Sequence, residues 1–232
     1  GIEEQLTQFV NFATLPVFSV NTSSNIVKND LLLPEHISKR ANLVKQLCAN
    51  FEHVKILLIY GATQCGKSTL AKLIALHITP QYESCVINCS DAPSFQYIKF
   101  TLQQCLESDS SSCVVIDNVA REYVSHVMQL LSIASNPKRY IITTPEYLDI
   151  PSLPSSESVL LQYEVPALTD SEVLEIIQTY HPNNDIEHIV SLCASHHPIL
   201  VQYVCLYLQS CNWQYDESTL KQLLSGEHLK SH

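Results

Sequence analysis

Apolar residues occur along this chain in two kinds of spacing. Short continuous apolar runs are typical of strands buried on both faces, and they cover residues 55–60, 85–89, 113–116, 140–143 and 159–165. Longer segments with apolar residues three and four positions apart indicate amphipathic helices, and they cover residues 36–50, 67–78, 93–106 and 121–133. In the first helix Ile37, Leu43, Val44 and Leu47 form the predicted apolar face. Strands alternating with helices in this way predict a parallel sheet with right-handed crossovers.

The pattern changes after Pro166, where no further strand is predicted. Thr169 and Glu172 have the spacing of a capping box, which marks a helix start. Helices are expected at about 170–180, 185–195, 198–210 and 216–225. The predicted fold class is therefore α/β, with a five-stranded parallel sheet flanked by helices and followed by a small all-helical lid domain.

Three regions follow from this division. Residues 1–30 are expected to be a loosely structured lead-in. Residues 31–166 form the α/β domain, and residues 167–232 form the helical lid.

Composition excludes some functional classes. The chain has 232 residues and a formal net charge of −10, with 46% apolar residues. A non-specific binder of nucleic acid or of membrane surfaces needs a basic field, so the acidity argues against both partners. The apolar runs are too short to cross a bilayer, and the N-terminus does not have the pattern of a signal peptide.

The cysteines indicate a reducing compartment. There are nine, an odd number, and they form no C-x-x-C pair. Most lie in apolar runs, as expected of reduced core thiols, and this predicts a cytoplasmic location. Cys193, His196 and His197 lie close together in the sequence, but they lack a second pair of ligands, which argues against a zinc site.

Glycine is rare, and its placement is informative. Only four glycines are present, and Gly61 and Gly66 lie in one loop. The segment from Gly61 to Ser68 matches G-x-x-x-x-G-K-[ST], between a predicted strand and a predicted helix. In such a P-loop the backbone N–H groups converge on phosphates, aided by the helix N-terminus. The candidate nucleotide-contacting residues are Gly61, Thr63, Gln64, Cys65, Gly66, Lys67, Ser68 and Thr69.

Several side chains have predicted roles at this site. Lys67 can reach the β- and γ-phosphates, and Thr69 can contact the α-phosphate. Ser68 and Asp117, which ends the third strand, are the candidate Mg²⁺ ligands. Thr143, near the end of the fourth strand, could sense the γ-phosphate, although threonine is also a common strand former.

These motifs, in this order, resemble the STAND class of P-loop ATPases within the AAA+ group, and in particular its NB-ARC and NACHT nucleotide-binding modules. Residues 37–43, Ile-Ser-Lys-Arg-Ala-Asn-Leu, are similar to the segment that lies against the adenine. Residues 140–145 are similar to the family's fourth strand, and residues 163–169 to the start of its helical lid. Residues 193–200 resemble the turn whose proline, here Pro198, packs on the adenine. The resemblance therefore implies Ile37 and Pro198 as further adenine contacts.

The resemblance also has departures. The family usually has two acids after the third strand, whereas Asn118 follows Asp117 here. An amide can orient water but cannot accept its proton at neutral pH. Pro145 replaces the usual arginine, and Ser38 and Lys39 replace the glycine and arginine of the adenine segment. We expect tight nucleotide binding with slow hydrolysis, so that the chain is at most a weak ATPase, with Asp117, Asn118 and Thr143 as its candidate catalytic residues.

The function that the resemblance implies is a switch in signalling or defence. ATP or ADP with Mg²⁺ would control conformation and self-association through the nucleotide-binding domain. The family continues into winged-helix, sensor and effector regions, which are not found in this sequence. We therefore expect either the nucleotide-binding region of a longer protein that carries them or a reduced relative of the family.

Two other functions remain open. One is an AAA+ ATPase linked to nucleic acid, of the origin-recognition or transposition type, against which the acidity counts. The other is a catalytically active P-loop ATPase or kinase. A kinase needs a cluster of arginines over its second substrate, whereas Arg40, Arg121 and Arg139 are scattered along the sequence.

Overall fold

The computed structural model describes residues 31–79, 83–90, 92, 94–107, 112–149, 160–183 and 196–224. Its core is a five-stranded sheet in which every strand pair is parallel. The strands are β1 (Ile56–Tyr60), β2 (Ser84–Asn88), β3 (Cys113–Asp117), β4 (Arg139–Thr144) and β5 (Leu160–Glu164). Their order across the sheet is β2-β3-β4-β1-β5. The predicted α/β class and five-stranded parallel sheet are confirmed.

Helices cover both faces of this sheet. The first four are α1 (Ala41–Phe51), α2 (Lys67–Ile78), α3 (Phe95–Glu107) and α4 (Arg121–Ile133). Alternate residues of β3 show the two-sided burial, since Val114 and Ile116 pack with α3 and α4 whereas Val115 packs with α1 and α2. A strand buried on both faces must be apolar throughout, which explains the continuous apolar runs.

The described residues after β5 form only helices. They are α5 (Asp170–Thr179), α6 (Pro198–Ser210) and α7 (Glu217–Leu224). These three helices share a separate apolar cluster that includes Ile177, Val201 and Leu220. The predicted capping box is present, because Thr169 Oγ1 accepts from Glu172 N–H while the Glu172 carboxylate accepts from Thr169 N–H. The expected lead-in and the predicted helix at 185–195 lie outside the described residues.

The start of the first helix is the main error in the predicted elements. The apolar spacing predicts a helix from His36, with Ile37 on its apolar face, but the helix begins at Ala41. Arg40 has φ 44° and ψ 42°, a left-handed conformation that ends the preceding segment in a sharp turn. The segment 36–40 is held instead by hydrogen bonds to the helices that follow the sheet, so Ile37 is outside the helix.

Candidate functional site

The loop between β1 and α2 contains the predicted phosphate motif. Gly61 has φ 152° and Gly66 has φ 96°, a range in which residues with a side chain are strained. A Cβ added at Gly61 would lie 2.9 Å from Cys65 Sγ, so the loop also lacks space for one there. Gly66 directly precedes the first turn of α2. The unpaired backbone N–H groups of that turn favour an anion.

Lys67 lies across this loop. Its side chain is buried, and Nζ donates hydrogen bonds to the carbonyl oxygens of Gly61 and Ala62, at 2.8 and 2.7 Å. The ammonium group is therefore held beside the loop whose amides are predicted to bind phosphate.

Asp117 and Thr143 meet at the carboxyl ends of β3 and β4. Thr143 Oγ1 donates to Asp117 Oδ1 at 2.6 Å, and it accepts from Asn118 N–H at 2.8 Å. The Asp117 carboxylate is buried and oriented by this contact. The hydroxyl of Thr143 is thus used within the chain, and its predicted γ-phosphate contact stays a prediction.

Asn118 lies in the left-handed region at φ 58°, where asparagine is better tolerated than most residues. Its side chain is exposed, in contrast to that of Asp117. Local backbone geometry therefore favours asparagine at this position independently of any chemical role.

A cavity of about 570 Å³ adjoins these groups. Ten of the residues predicted to bind or act on nucleotide line it, namely Ile37, Thr63, Gln64, Cys65, Gly66, Lys67, Ser68, Thr69, Asn118 and Pro198. Three predicted residues do not line it: Gly61, Asp117 and Thr143. The cavity lies between the phosphate loop and α6, since a Cβ at Gly66 would be 3.8 Å from Pro198 Cγ.

Arg40 is a cavity residue without an assigned role in the sequence interpretation. Its side chain is buried, and its guanidinium donates to the Pro166 and Ala167 carbonyls, both at 3.1 Å. It also pairs with the Glu172 carboxylate at 3.2 Å. The three arginines are scattered along the sequence, but in the fold Arg40 joins the cavity wall to the link between β5 and α5. Arg40 lies within residues 37–43, which are similar to the family segment that lies against the adenine, and this position in the sequence indicates a place near the site.

The rest of segment 36–40 is also attached to the helices that follow the sheet. Ser38 Oγ donates to Glu175 Oε2 at 2.5 Å, and Lys39 N–H donates to Glu175 Oε1 at 2.9 Å. The His36 ring stacks on Tyr180, with ring centroids 3.8 Å apart. This segment therefore connects one wall of the cavity to α5.

Two histidines in the turn before α6 make contacts that stabilise the start of that helix and its link to α5. His197 Nδ1 accepts from Ile199 N–H at 3.3 Å and so caps the helix. His196 Nε2 lies 2.6 Å from Asp170 Oδ1. No group of three metal-ligating side chains occurs among the described residues, and Cys193 is outside them.

Comparisons with known proteins agree with this architecture. A family model described as an AAA domain matches residues 53–161. The adapter protein unc-53 of Caenorhabditis elegans is 26% identical over 134 residues, which are 53% of this chain and 8% of that protein. A crystal structure of a Signal Transduction ATPase with Numerous Domains (STAND) protein with a tetratricopeptide repeat sensor, from Pyrococcus horikoshii, aligns with a TM-score of 0.55 at 14% identity. That alignment covers 77% of this chain and 31% of the other.

The AAA match agrees with the predicted relationship to AAA+ P-loop NTPases, and the structural alignment shows a fold shared with a STAND protein. This chain spans only a small part of both relatives, so their activities as whole proteins do not transfer to it. Within the described residues, every helix is too short or too polar to cross a membrane.

Proposed function

We propose that this chain is an adenine-nucleotide switch module, in which ATP or ADP with Mg²⁺ binds between the phosphate loop and α6. The observation that carries the proposal is the composition of the cavity walls. Residues 63–69 form one wall, and Pro198 and Ile199 face it from the other side. A ligand in this space would contact the sheet domain and the helical lid at once.

The residues present fit such a ligand. A volume of about 570 Å³ is within the range of small-molecule sites. The backbone N–H groups of the loop and Lys67 would hold the phosphates. Ser68, a cavity residue, would hold Mg²⁺ together with Asp117, which does not itself line the cavity but directly precedes the cavity residue Asn118. The metal neutralises phosphate charge when bound. Apolar side chains such as Ile37 and Pro198 would cover the base.

Slow hydrolysis is part of the proposal. Asn118 is exposed to the cavity at the position where the family usually has its second acid, and its amide cannot take a proton from water. Pro145, also a cavity residue, supplies no charge where an arginine is usual. Bound ATP would therefore persist without hydrolysis for long periods, as a switch requires.

The switch itself would act through the lid. Because the ligand would touch both walls, its presence would favour one relative placement of lid and sheet domain over others. We propose that the nucleotide state in this way controls self-association through the nucleotide-binding domain. The similarity to a protein described as an adapter agrees with a role in which binding, and not turnover, is the output. The reduced cysteines suggest that this occurs in the cytoplasm.

The test is nucleotide affinity measured by calorimetry with ADP and Mg²⁺. Lys67→Ala should weaken binding by about tenfold to a hundredfold, because a charged hydrogen-bond donor to the phosphates is lost. Lys72→Ala is the matched control, since Lys72 lies on the same helix and does not line the cavity. Equal affinity in the wild type and Lys67→Ala would overturn the proposal.

A further inference from the structure

One polar side chain of α6 faces the cavity among apolar neighbours. Gln202 lies one helical turn after Pro198 and Ile199, and all three line the cavity. The other cavity residues that follow β5 are Leu168 and Ile176. Gln202 is thus the only polar residue that this part of the described chain contributes to the site.

The orientation of its amide is fixed by its partner. Gln202 Nε2 donates to the backbone carbonyl oxygen of His36 at 2.8 Å. A carbonyl oxygen can only accept, so the amide nitrogen must face it and Oε1 must be the other end. The side-chain hydrogen bond to His36 uses only the nitrogen end of the amide. The end of the amide left for a ligand is therefore a hydrogen-bond acceptor.

We propose that Gln202 selects the base of the bound nucleotide, with Oε1 accepting a hydrogen bond from the exocyclic amine of adenine. This inference rests on the proposed function, because it assumes that the base lies in the apolar part of the cavity. The location of Gln202 agrees with this assumption, because its partner His36 directly precedes Ile37, an apolar residue that lines the same cavity.

The same geometry should weaken the binding of a purine base that carries an oxygen in place of the exocyclic amine. A 6-oxo purine would place its acceptor against Oε1, with no proton between the two oxygens. Reversing the amide would not help, because Oε1 would then face the His36 carbonyl and the existing 2.8 Å hydrogen bond would be lost. A site with a fixed acceptor discriminates more strongly than an apolar pocket of the same shape.

The experiment compares three diphosphates that differ at one position of the base, with Mg²⁺ present and calorimetric affinity as the measurement. They are ADP, purine riboside diphosphate without the amine, and inosine diphosphate with an oxygen. Wild-type protein should bind ADP about tenfold more tightly than the purine analogue, the value of one net hydrogen bond, and inosine diphosphate most weakly.

Gln202→Met keeps the length of the side chain and removes both polar atoms. It should bring the three affinities to within about threefold of one another. Gln209→Met is the matched control, because Gln209 is exposed near the end of the same helix and should keep the wild-type order. Thermal unfolding of both variants checks that the helix remains folded.

The outcomes separate this inference from the proposed function. If wild-type protein binds all three diphosphates equally, or if Gln202→Met keeps the preference for ADP, the role of Gln202 is wrong while nucleotide binding stands. If no diphosphate binds to the wild type, the proposed function fails and the inference fails with it. A preference for ADP that disappears only in Gln202→Met supports both.

Discussion

Arg40 and Glu172 form a bidentate ion pair between the segment before α1 and the first turn of α5. Nε and Nη2 of the arginine each lie 3.2 Å from one oxygen of the carboxylate. The same carboxylate accepts from Thr169 N–H in the capping box. One acidic side chain thus caps α5 and bonds to the cavity residue Arg40, so the start of α5 is tied directly to the edge of the site.

Arg40→Ala should therefore destabilise the protein strongly. Both side chains are largely buried, and loss of one partner leaves the other charge and the Pro166 and Ala167 carbonyls without their donors. The expected loss in the free energy of unfolding is about 3 kcal/mol. Urea unfolding measures it.

Arg121→Ala is the control for this substitution. Arg121 also pairs with a glutamate, Glu146, at 2.8 Å, but the two side chains are 65% and 56% exposed. Solvent screens such a pair, so its removal should cost less than about 1 kcal/mol. Equal losses in the two variants would contradict the structural role assigned to Arg40.

The elements of the sheet domain follow from local sequence to a large extent. The predicted α2 and α4 have the observed bounds, and each directly follows a residue with non-helical backbone, Gly66 and Ala120 respectively. The sheet was also predictable, since strands buried on both faces leave uninterrupted apolar runs.

The segment before α1 could not be predicted in the same way. Its apolar spacing suits a helix, but the Arg40 side chain bonds to Glu172, and Ser38 Oγ and Lys39 N–H bond to Glu175. Both glutamates are more than a hundred residues away in the sequence. Contacts of such separation leave no local pattern. The same limit applies to Gln202, whose partner His36 lies 166 positions before it.

Asn118→Asp should convert the site into a faster ATPase. Aspartate tolerates the left-handed backbone of this position about as well as asparagine does, and it supplies the proton acceptor that the wild type lacks. We expect the rate of phosphate release at saturating ATP to rise at least tenfold, on the scale of general-base catalysis.

Asn118→Gly serves as the reference for that comparison. It relieves the left-handed backbone without adding a carboxylate, and it should leave hydrolysis slow. If both variants hydrolyse ATP at the same rate, the missing acid is not what limits turnover.

Thr143→Val should weaken the contribution of Mg²⁺ to nucleotide binding. Valine has the shape of threonine but cannot donate to Asp117 or accept from Asn118 N–H, so the carboxylate loses its orientation. Loss of such a supporting contact typically costs about tenfold or more in metal affinity. ADP affinity should therefore fall with Mg²⁺ present and stay unchanged in chelator.

Thr144→Val is a close control, because it makes the same chemical change one residue later. Thr144 Oγ1 is buried, and it has no hydrogen-bond partner among the described residues. Its loss should therefore leave the Mg²⁺ dependence of binding intact. If Thr144→Val lowers the ADP affinity in the presence of Mg²⁺ as much as Thr143→Val does, altered strand packing and not the lost Asp117 contact explains the effect of Thr143→Val.

Bound ADP should protect Cys65 from alkylation. Cys65 is partly exposed and lines the cavity, so a nucleotide in the phosphate loop would cover its thiol. Burial raises the pKa of Cys48 to about 11 and that of Cys113 to about 12, so these thiols stay protonated and react slowly at pH 8. Iodoacetamide labelling followed by peptide mass spectrometry would measure each cysteine separately.

Cys211 provides the internal reference for this labelling. It is also partly exposed, but it follows α6 at the end away from Pro198 and does not line the cavity. We expect ADP with Mg²⁺ to slow labelling of Cys65 at least tenfold while Cys211 reacts at an unchanged rate, since occupancy near saturation leaves few open sites. Equal labelling of Cys65 with and without saturating ADP would place the nucleotide elsewhere than in the loop between Gly61 and Ser68.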